Sequence, residues 1–567
     1  MARPEKVRLG DLLVQQKLIS LDQLQFALEQ QKRSGRKLGR VLVDNGFVSE
    51  EQISESIAKQ LNIPYINLKY YNVNLEIVRR MPENQARRFR AVVLEERNGV
   101  LLVGMADPTD LFAFDEISKV LKRDIDVAVV TEGQLLETID RVYRRTEEIS
   151  GLAREVSEDL GDTYIDFGAM GDQVGTEEAP VVKLLQSMFD DATQVRASDI
   201  HIEPQETRVQ IRFRIDGVLH LQTEADSKIA PSLALRLKLM SGLDISEKRL
   251  PQDGRFNMRV RDQAVDVRIS TMPTQYGESV VMRLLNQSGS FLTLDKLGMP
   301  PDMLKRFREI IQRSNGMVLV TGPTGSGKTT TLYAGLAEIN TIDQKIITVE
   351  DPVEYRLPGI NQVQVNEKIE LTFSRVLRSA LRQDPDVILV GEMRDAETAQ
   401  IGMRAAMTGH LVFSTLHTRD TAGTLFRLVD MGAPRYMVAS SVQAVLAQRL
   451  LRRVCESCAE KHTPTPQEAE WLEAEGVTRS DWGTLLHGRG CSHCNGTGYR
   501  GRLGVYEMLE MGAALAEAAA HDDNRHFMQA ARDHLKGKTL LDAALHEMKL
   551  GHTSVLEVMR ISNQVED

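Results

Sequence analysis

The stretch GPTGSGKT, residues 322–329, constrains the fold of this chain more than any other. It has the spacing G-x4-G-K-T, follows the apolar run MVLV (317–320) and precedes the helix-prone TTTLYAGLAEI. A strand that enters a glycine-rich turn and leaves it as a helix aims consecutive backbone N–H groups at one point, where a phosphate can sit. Gly322, Pro323, Thr324, Gly325, Ser326 and Gly327 form the candidate cradle, and Thr330 continues it into the helix. Lys328 is placed to reach the β- and γ-phosphates of ATP, and the Thr329 hydroxyl to hold Mg²⁺.

Three further apolar runs end in chemistry-bearing residues. ITVEDPVEY sets Glu350, Asp351 and Glu354 after Ile346–Val349, and DVILVGEMRD sets Glu392 after Val387–Val390. HLVFSTLHT brackets a short strand with His410 and His417. The pattern predicts a parallel sheet with one active edge, because ligands of open α/β sheets gather at the carboxyl ends of the strands. Val390 is followed by Gly-Glu rather than by the Asp that commonly holds Mg²⁺, so Glu392 is better placed to orient or deprotonate the attacking water.

The four cysteines fall as CESC (Cys455, Cys458) and CSHC (Cys491, Cys494). Two C-x2-C chelates supply the four thiolates of a closed, structural Zn²⁺ site, leaving His462 and His493 outside the ligand set. Two disulfides are the alternative, and a reducing compartment disfavours them. The compartment expected is the cytoplasm: no run of eighteen apolar residues appears, and MARPEKVRLGDLL lacks the apolar core of a signal peptide. A net charge of −10 excludes a polycation, so nucleic acid is not expected as a partner.

At the other end of the chain, RLGDLLVQQKLISLDQLQFALEQQ (8–31) and KLGRVLVDNGFVSEEQISESIAKQ (37–60) repeat one pattern 29 residues apart. Leu24, Leu28 and Gln31 share one helical face, as do Ile53, Ile57 and Gln60, and Ser20 and Ser49 sit where N-caps would. Two near-identical sites suit a ligand with two near-identical halves, and cyclic di-GMP is one. Arg8 and Lys37, with Arg36 nearby, supply charge for a guanine edge or a phosphate. Gly10 and Gly39 allow close approach, Leu9, Leu38, Ile53 and Ile57 offer apolar contact, and Gln31 and Gln60 can bond a base edge. Asp107 is a further candidate for closing the site.

The phosphate loop, the acidic ITVEDPVEY, DPDVILVGEMRDAETA and TGHLVFSTLHT together resemble the Walker A, Asp, Walker B and His boxes of the secretion ATPase superfamily, which powers type II secretion and type IV pilus assembly. The resemblance spans residues 180–567. The N-terminal repeat is similar to the tandem motifs of the cyclic di-GMP-binding domain named for the MSHA pilus ATPase. Lys17 departs from that motif where it prefers Gly, and Lys37 where it prefers Arg.

The resemblance implies a multidomain α/β chain. A regulatory domain (1–145) comprises a helical tandem-motif part (1–63) and an α/β part (64–145), followed by a linker (146–179). A PAS-like α+β domain (180–288), a RecA-like ATPase domain (289–510) with the zinc insert (455–494) and a helical C-terminus (511–567) complete it. It further implies a homohexamer that acts on an inner-membrane platform protein and is peripheral to the membrane through that partner. Glu392 would be catalytic, Glu350 and Glu354 would act from the Asp box, and His410 and His417 from the His box. Arg214, Arg255 and Arg268 match arginines that approach the ATP phosphates in related motors. The tetracysteine insert and the long N-terminal region are similar to extension motors and type II secretion ATPases rather than to retraction motors. A nucleic-acid translocase and a non-hydrolysing cyclic di-GMP receptor are the readings from other classes; acidic charge opposes the first, and intact Lys328 and Glu392 the second.

Overall fold

The computed structural model describes residues 9–34, 38–97, 99–143, 149–154, 156, 180–260, 263–286, 293–521 and 524–566. Arg8, Arg36 and Lys37 lie outside the described residues, as does most of the stretch read as a linker. Ile149, Ala153 and Val156, within that stretch, are instead buried in the core of the antiparallel unit described below, because they are apolar and spaced along one helical face. Among the described residues no helix is long and apolar enough to cross a membrane.

The repeat folds as two helix pairs, α1 (Leu9–Gln15) with α2 (Leu21–Ser34), and α3 (Leu38–Asp44) with α4 (Glu50–Leu61). Leu13 and Leu42, and Ile19 and Val48, are paired positions of one small core. Ser20 and Gln23 cap α2 reciprocally, and Ser49 and Gln52 cap α4 in the same way. Several residues shared by the two copies are therefore explained by packing and capping alone.

The turns also match. Lys17 N bonds Val14 O and Leu18 N bonds Leu13 O, as Gly46 N bonds Val43 O and Phe47 N bonds Leu42 O. Lys17 adopts φ 58°, beside φ 69° at Gly46, so it keeps the left-handed turn rather than altering it. Holding an L side chain there costs roughly 1–2 kcal/mol. Lys17→Gly is accordingly expected to stabilise the N-terminal unit by about 1 kcal/mol, read as a higher urea midpoint at unchanged m.

The α/β part that follows has β1 (Ala91–Arg97) antiparallel to β2 (Val100–Met105), and β2 parallel to β3 (Ile125–Val129). Next comes a six-stranded antiparallel sheet. Its strands are β4 (Asp199–Pro204), β5 (Arg208–Ile215), β6 (Val218–Asp226), β7 (Gln252–Val260), β8 (Gln263–Thr274) and β9 (Gly277–Asn286), ordered β6-β5-β4-β9-β8-β7. The predicted alternation holds: Val209, Ile211 and Phe213 are fully buried under helices Pro180–Gln194 and Ala230–Ser241.

The C-terminal half is built on a seven-stranded sheet. Its strands are β10 (Gly316–Thr321), β11 (Ile346–Glu350), β12 (Asn361–Gln364), β13 (Val387–Val390), β14 (Leu411–Leu416) and β15 (Val442–Val454). The short β16 (Ala459–Lys461) and β17 (Leu486–Gly488) pair with each other in the insert, and β18 (Tyr499–Glu510) closes the large sheet. The order is β12-β11-β13-β14-β10-β15-β18, all parallel except β18, which runs back along β15. Each of β10, β11, β13 and β14 is buried along its whole length, as apolar strands covered on both faces must be. The C-terminal helices are part of this core: Phe527 and Ala531 pack under one face, and Leu545, Val555 and Val558 beside β15 and β18.

Candidate active site and ligand sites

The parallel register brings the ends of β10, β11, β13 and β14 to one edge. The phosphate loop leaves β10 there and opens the helix Lys328–Ile339. Gly322 sits at φ 147°, and a Cβ on it would lie 2.5 Å from the backbone oxygen of Gln448, so only glycine fits. Lys328 Nζ donates to Gly322 O at 2.8 Å and Pro323 O at 3.1 Å. Burial pulls the Lys328 ammonium down to about 8, against the pull of Glu392.

Glu392 follows β13 by way of Gly391. That glycine's N–H bonds Val349 O at 2.8 Å, and its carbonyl accepts from Thr415 Oγ1 at 2.6 Å. A Cβ at 391 would press on β11, so the Gly-Glu pair lets the strand end close in. Arg394 pairs with Glu392 and stands 3.6 Å from Asp351. His417 Nε2 lies 3.7 Å from Glu392 Oε2, and burial beside Lys328 holds its imidazolium pKa below the usual histidine value.

The remaining candidates separate. Glu350 is buried and accepts from Tyr333 and Thr348, with Gln362 Nε2 at 3.3 Å, so it is fixed in the core. Glu354 faces Arg268, whose Nη1 is 2.9 Å away and whose Nη2 donates to Val353 O at 2.7 Å. Arg268 therefore reaches from β8 to the Asp-box loop of the same chain. Arg255 is paired with Asp266, and Arg214 with Gly217 O and Asp199. His410 lies at the opposite edge of the sheet: it precedes β14, its backbone oxygen accepts from Gly316 N, and its Nδ1 faces Ala405 O at 3.1 Å. The structure does not bring it to the phosphate loop.

Sequence reading passed over three residues at this edge. Besides Arg394, Gln448 accepts from Thr331 Oγ1 at 2.7 Å beneath the loop, and the buried Arg449 donates to Arg419 O at 2.6 Å. A polar pair inside the apolar run VLAQRLL was the available signal.

In the N-terminal unit Gly10 packs against Leu24 so closely that a Cβ would lie 2.5 Å from its Cδ1. Leu9, Gln31, Leu38, Gly39, Ile53, Ile57 and Gln60 are all partly exposed, and Leu28 is exposed, so they can meet a ligand. The Asp107 carboxylate bonds Thr109 N and Oγ1 at 3.1 and 2.6 Å, closing its own turn.

The four cysteine sulfurs lie within 4.8 Å of one another, with neighbours at 3.8–3.9 Å. Four thiolates about 2.3 Å from one tetrahedral ion stand roughly 3.8 Å apart. The donor set thus fits Zn²⁺. His462 bonds Glu468 Oε2 at 2.9 Å and His493 bonds Leu68 O at 2.7 Å, so neither points to the metal position.

Residues 174–560 match the family model described as "Type II/IV secretion system protein", and residues 61–149 match the MshEN domain. The latter covers the α/β part rather than the two repeats. The chain is 41% identical to the type IV pilus assembly ATPase PilB of Myxococcus xanthus, across 97% of this chain and 98% of that one. It is also 41% identical to the type II secretion system ATPase E of Vibrio cholerae, across 86% and 97%. The X-ray structure of the Legionella pneumophila ATPase DotB shares the fold, with a TM-score of 0.50 at 22% identity over 67% of this chain and 95% of that chain.

Proposed function

We propose a function on one established premise, that this chain belongs to the type II/IV secretion system protein family and is an ATPase: its ATP turnover drives assembly of a type IV pilus of the MSHA class, under control of cyclic di-GMP. The observation that carries the proposal is the joining, in one chain, of a tandem-motif unit to a core that sets Lys328 and Glu392 at one sheet edge. The pilus ATPase relative aligns across both parts.

The backbone of 322–327, Lys328 and Thr329 hold ATP, and Mg²⁺ at the Thr329 hydroxyl would supply charge neutralisation at the phosphates. Lys328 balances charge on the β- and γ-phosphates. Glu392 accepts the proton of the attacking water, and His417 stands 3.7 Å from that carboxylate. Arg268, by gripping Glu354 and Val353 O, ties the antiparallel domain to the Asp-box loop, so motion of one moves the other. Six chains in a ring, acting on a platform protein at the cytoplasmic side of the inner membrane, would convert these motions to force. The Cys₄ site holds structural Zn²⁺.

A type II secretion motor is the second reading, favoured by the equal identity to the Vibrio ATPase. Deleting the gene separates them: loss of surface pili with normal exoprotein secretion supports the first reading, and the reverse outcome the second. Calorimetry of the full chain with cyclic di-GMP tests the regulatory part. Binding is expected, weakened about tenfold or more in Arg8→Ala, as loss of a charge-assisted contact worth about 1.5–3 kcal/mol requires. Absence of heat, or equal affinity in both proteins, would sink it.

A further inference from the structure

His493 stands between two zinc-ligand cysteines but faces away from them, into the N-terminal unit. Its Nε2–H donates to Leu68 O at 2.7 Å, and its Nδ1 accepts from Arg500 Nη1 at 3.2 Å. Those two bonds fix one neutral tautomer. His493 is nearly buried at this junction. Beside it Ser457 donates to Lys69 O, Lys69 Nζ pairs with Glu456 at 2.5 Å, and Arg500 faces Glu137 at 3.7 Å. Backbone and charge therefore meet across one small surface, with the tetracysteine module on one side and residues 68–69 on the other.

Both sides are anchored. The Leu68 side chain is fully buried in the core of the α/β part, and its N–H donates to Gln134 Oε1 at 2.9 Å. The module is an insertion at the tip of the β15–β18 hairpin, clamped by Cys455 N to Gly498 O at 2.9 Å. Strand β15 then runs to Gln448, under the phosphate loop, six residues or roughly 20 Å from Val454.

We infer that the tetracysteine module is the point at which the N-terminal unit acts on the ATPase core, so that cyclic di-GMP occupancy is read through the contact of Leu68 and Lys69 with Glu456, Ser457 and His493. This rests on the cyclic di-GMP reading above. It gives the zinc insert a task beyond its own stability: the metal shapes a docking surface whose other side is the regulatory domain. Coupling of this kind is reciprocal in binding, and a contact that differs between liganded and free states must carry it.

The test is a charge swap in the full chain: Lys69→Glu, Glu456→Lys and the double variant. Both residues are exposed and remote from the phosphate loop, so basal turnover is expected to stay within twofold. Each single reversal should lower the cyclic di-GMP-induced change in ATPase rate at least threefold, and the double variant should restore it. Amide exchange gives an independent reading. Cyclic di-GMP should alter protection at 455–458 and 491–500 in wild type and the double variant, and not in the singles. Single variants that bind cyclic di-GMP and respond as wild type would overturn the inference alone. A wild type that fails to bind cyclic di-GMP would overturn the regulatory reading and this inference with it.

Discussion

Glu392→Gln is expected to lower kcat for ATP by about 10²–10⁴-fold, the contribution of a positioned general base, while ATP affinity changes less than threefold. The substitution keeps shape and the bond to Arg394 but removes the proton acceptor. Lys328→Ala should differ in kind. Lys328 carries the cationic end of the loop, so its loss raises the Kd for ATP before any chemistry is read. Glu350→Gln gives the sharpest contrast. That carboxylate is buried and accepts from Tyr333 and Thr348, so a Gln there misplaces a donor in the core and lowers stability by about 1–3 kcal/mol. Stopped-flow binding of a fluorescent ATP analogue, steady-state turnover and thermal melts separate the three. A Glu392→Gln protein that keeps more than a tenth of wild-type turnover would remove Glu392 from the role assigned to it.

The contrast between Glu350 and Glu392 marks what the sequence made legible. Four apolar runs ending in polar residues were sufficient to predict a parallel sheet and its active edge, because a strand buried on both faces admits no other composition. They were insufficient to say which way each terminal side chain turns. Glu350 turns into the core, where Tyr333 meets it. His410 and His417 look symmetric in HLVFSTLHT, yet β14 between them is six residues long, so they stand at opposite edges roughly 20 Å apart. Lys17 is the reverse case: it stands where the motif prefers Gly, and the left-handed region absorbs it at an energetic cost. Ser20 and Ser49, read as N-caps, do cap their helices, and Gln23 and Gln52 complete the capping boxes, a local device whose signature is readable once the helix start is known. The contact of His493 with Leu68 could not be read at all, since it joins residues 425 apart through the relative placement of two domains.

Removal of zinc is expected to open the cysteine end of the insert without unfolding the sheet. Cys455, Cys458 and Cys494 form a small buried cluster with Cys491 packed against it, so among the described residues sulfur supplies the apolar filling of that end of the insert. Structural zinc contributes on the order of 10 kcal/mol to sites of this type. Deprived of it, the module must open, because four sulfurs this close repel as thiolates and gain little packing as thiols. The β15–β18 ladder has its own registered bonds from Ala444 to Arg452, and the helices Leu540–Lys549 and Val555–Glu566 pack beside it. The breach should therefore stop near Val454. Metal analysis should find one zinc per chain, absent in Cys458→Ser/Cys494→Ser. Amide protection at 455–461 and 487–498 should fall by on the order of 10³-fold or more in that variant, while amides of β10, β13 and β14, and of the segment around Leu472 that is buried with the C-terminal helices, keep theirs. A metal-free variant with the insert still protected would mean that the cysteines pack as thiols and that zinc is not what holds this module together.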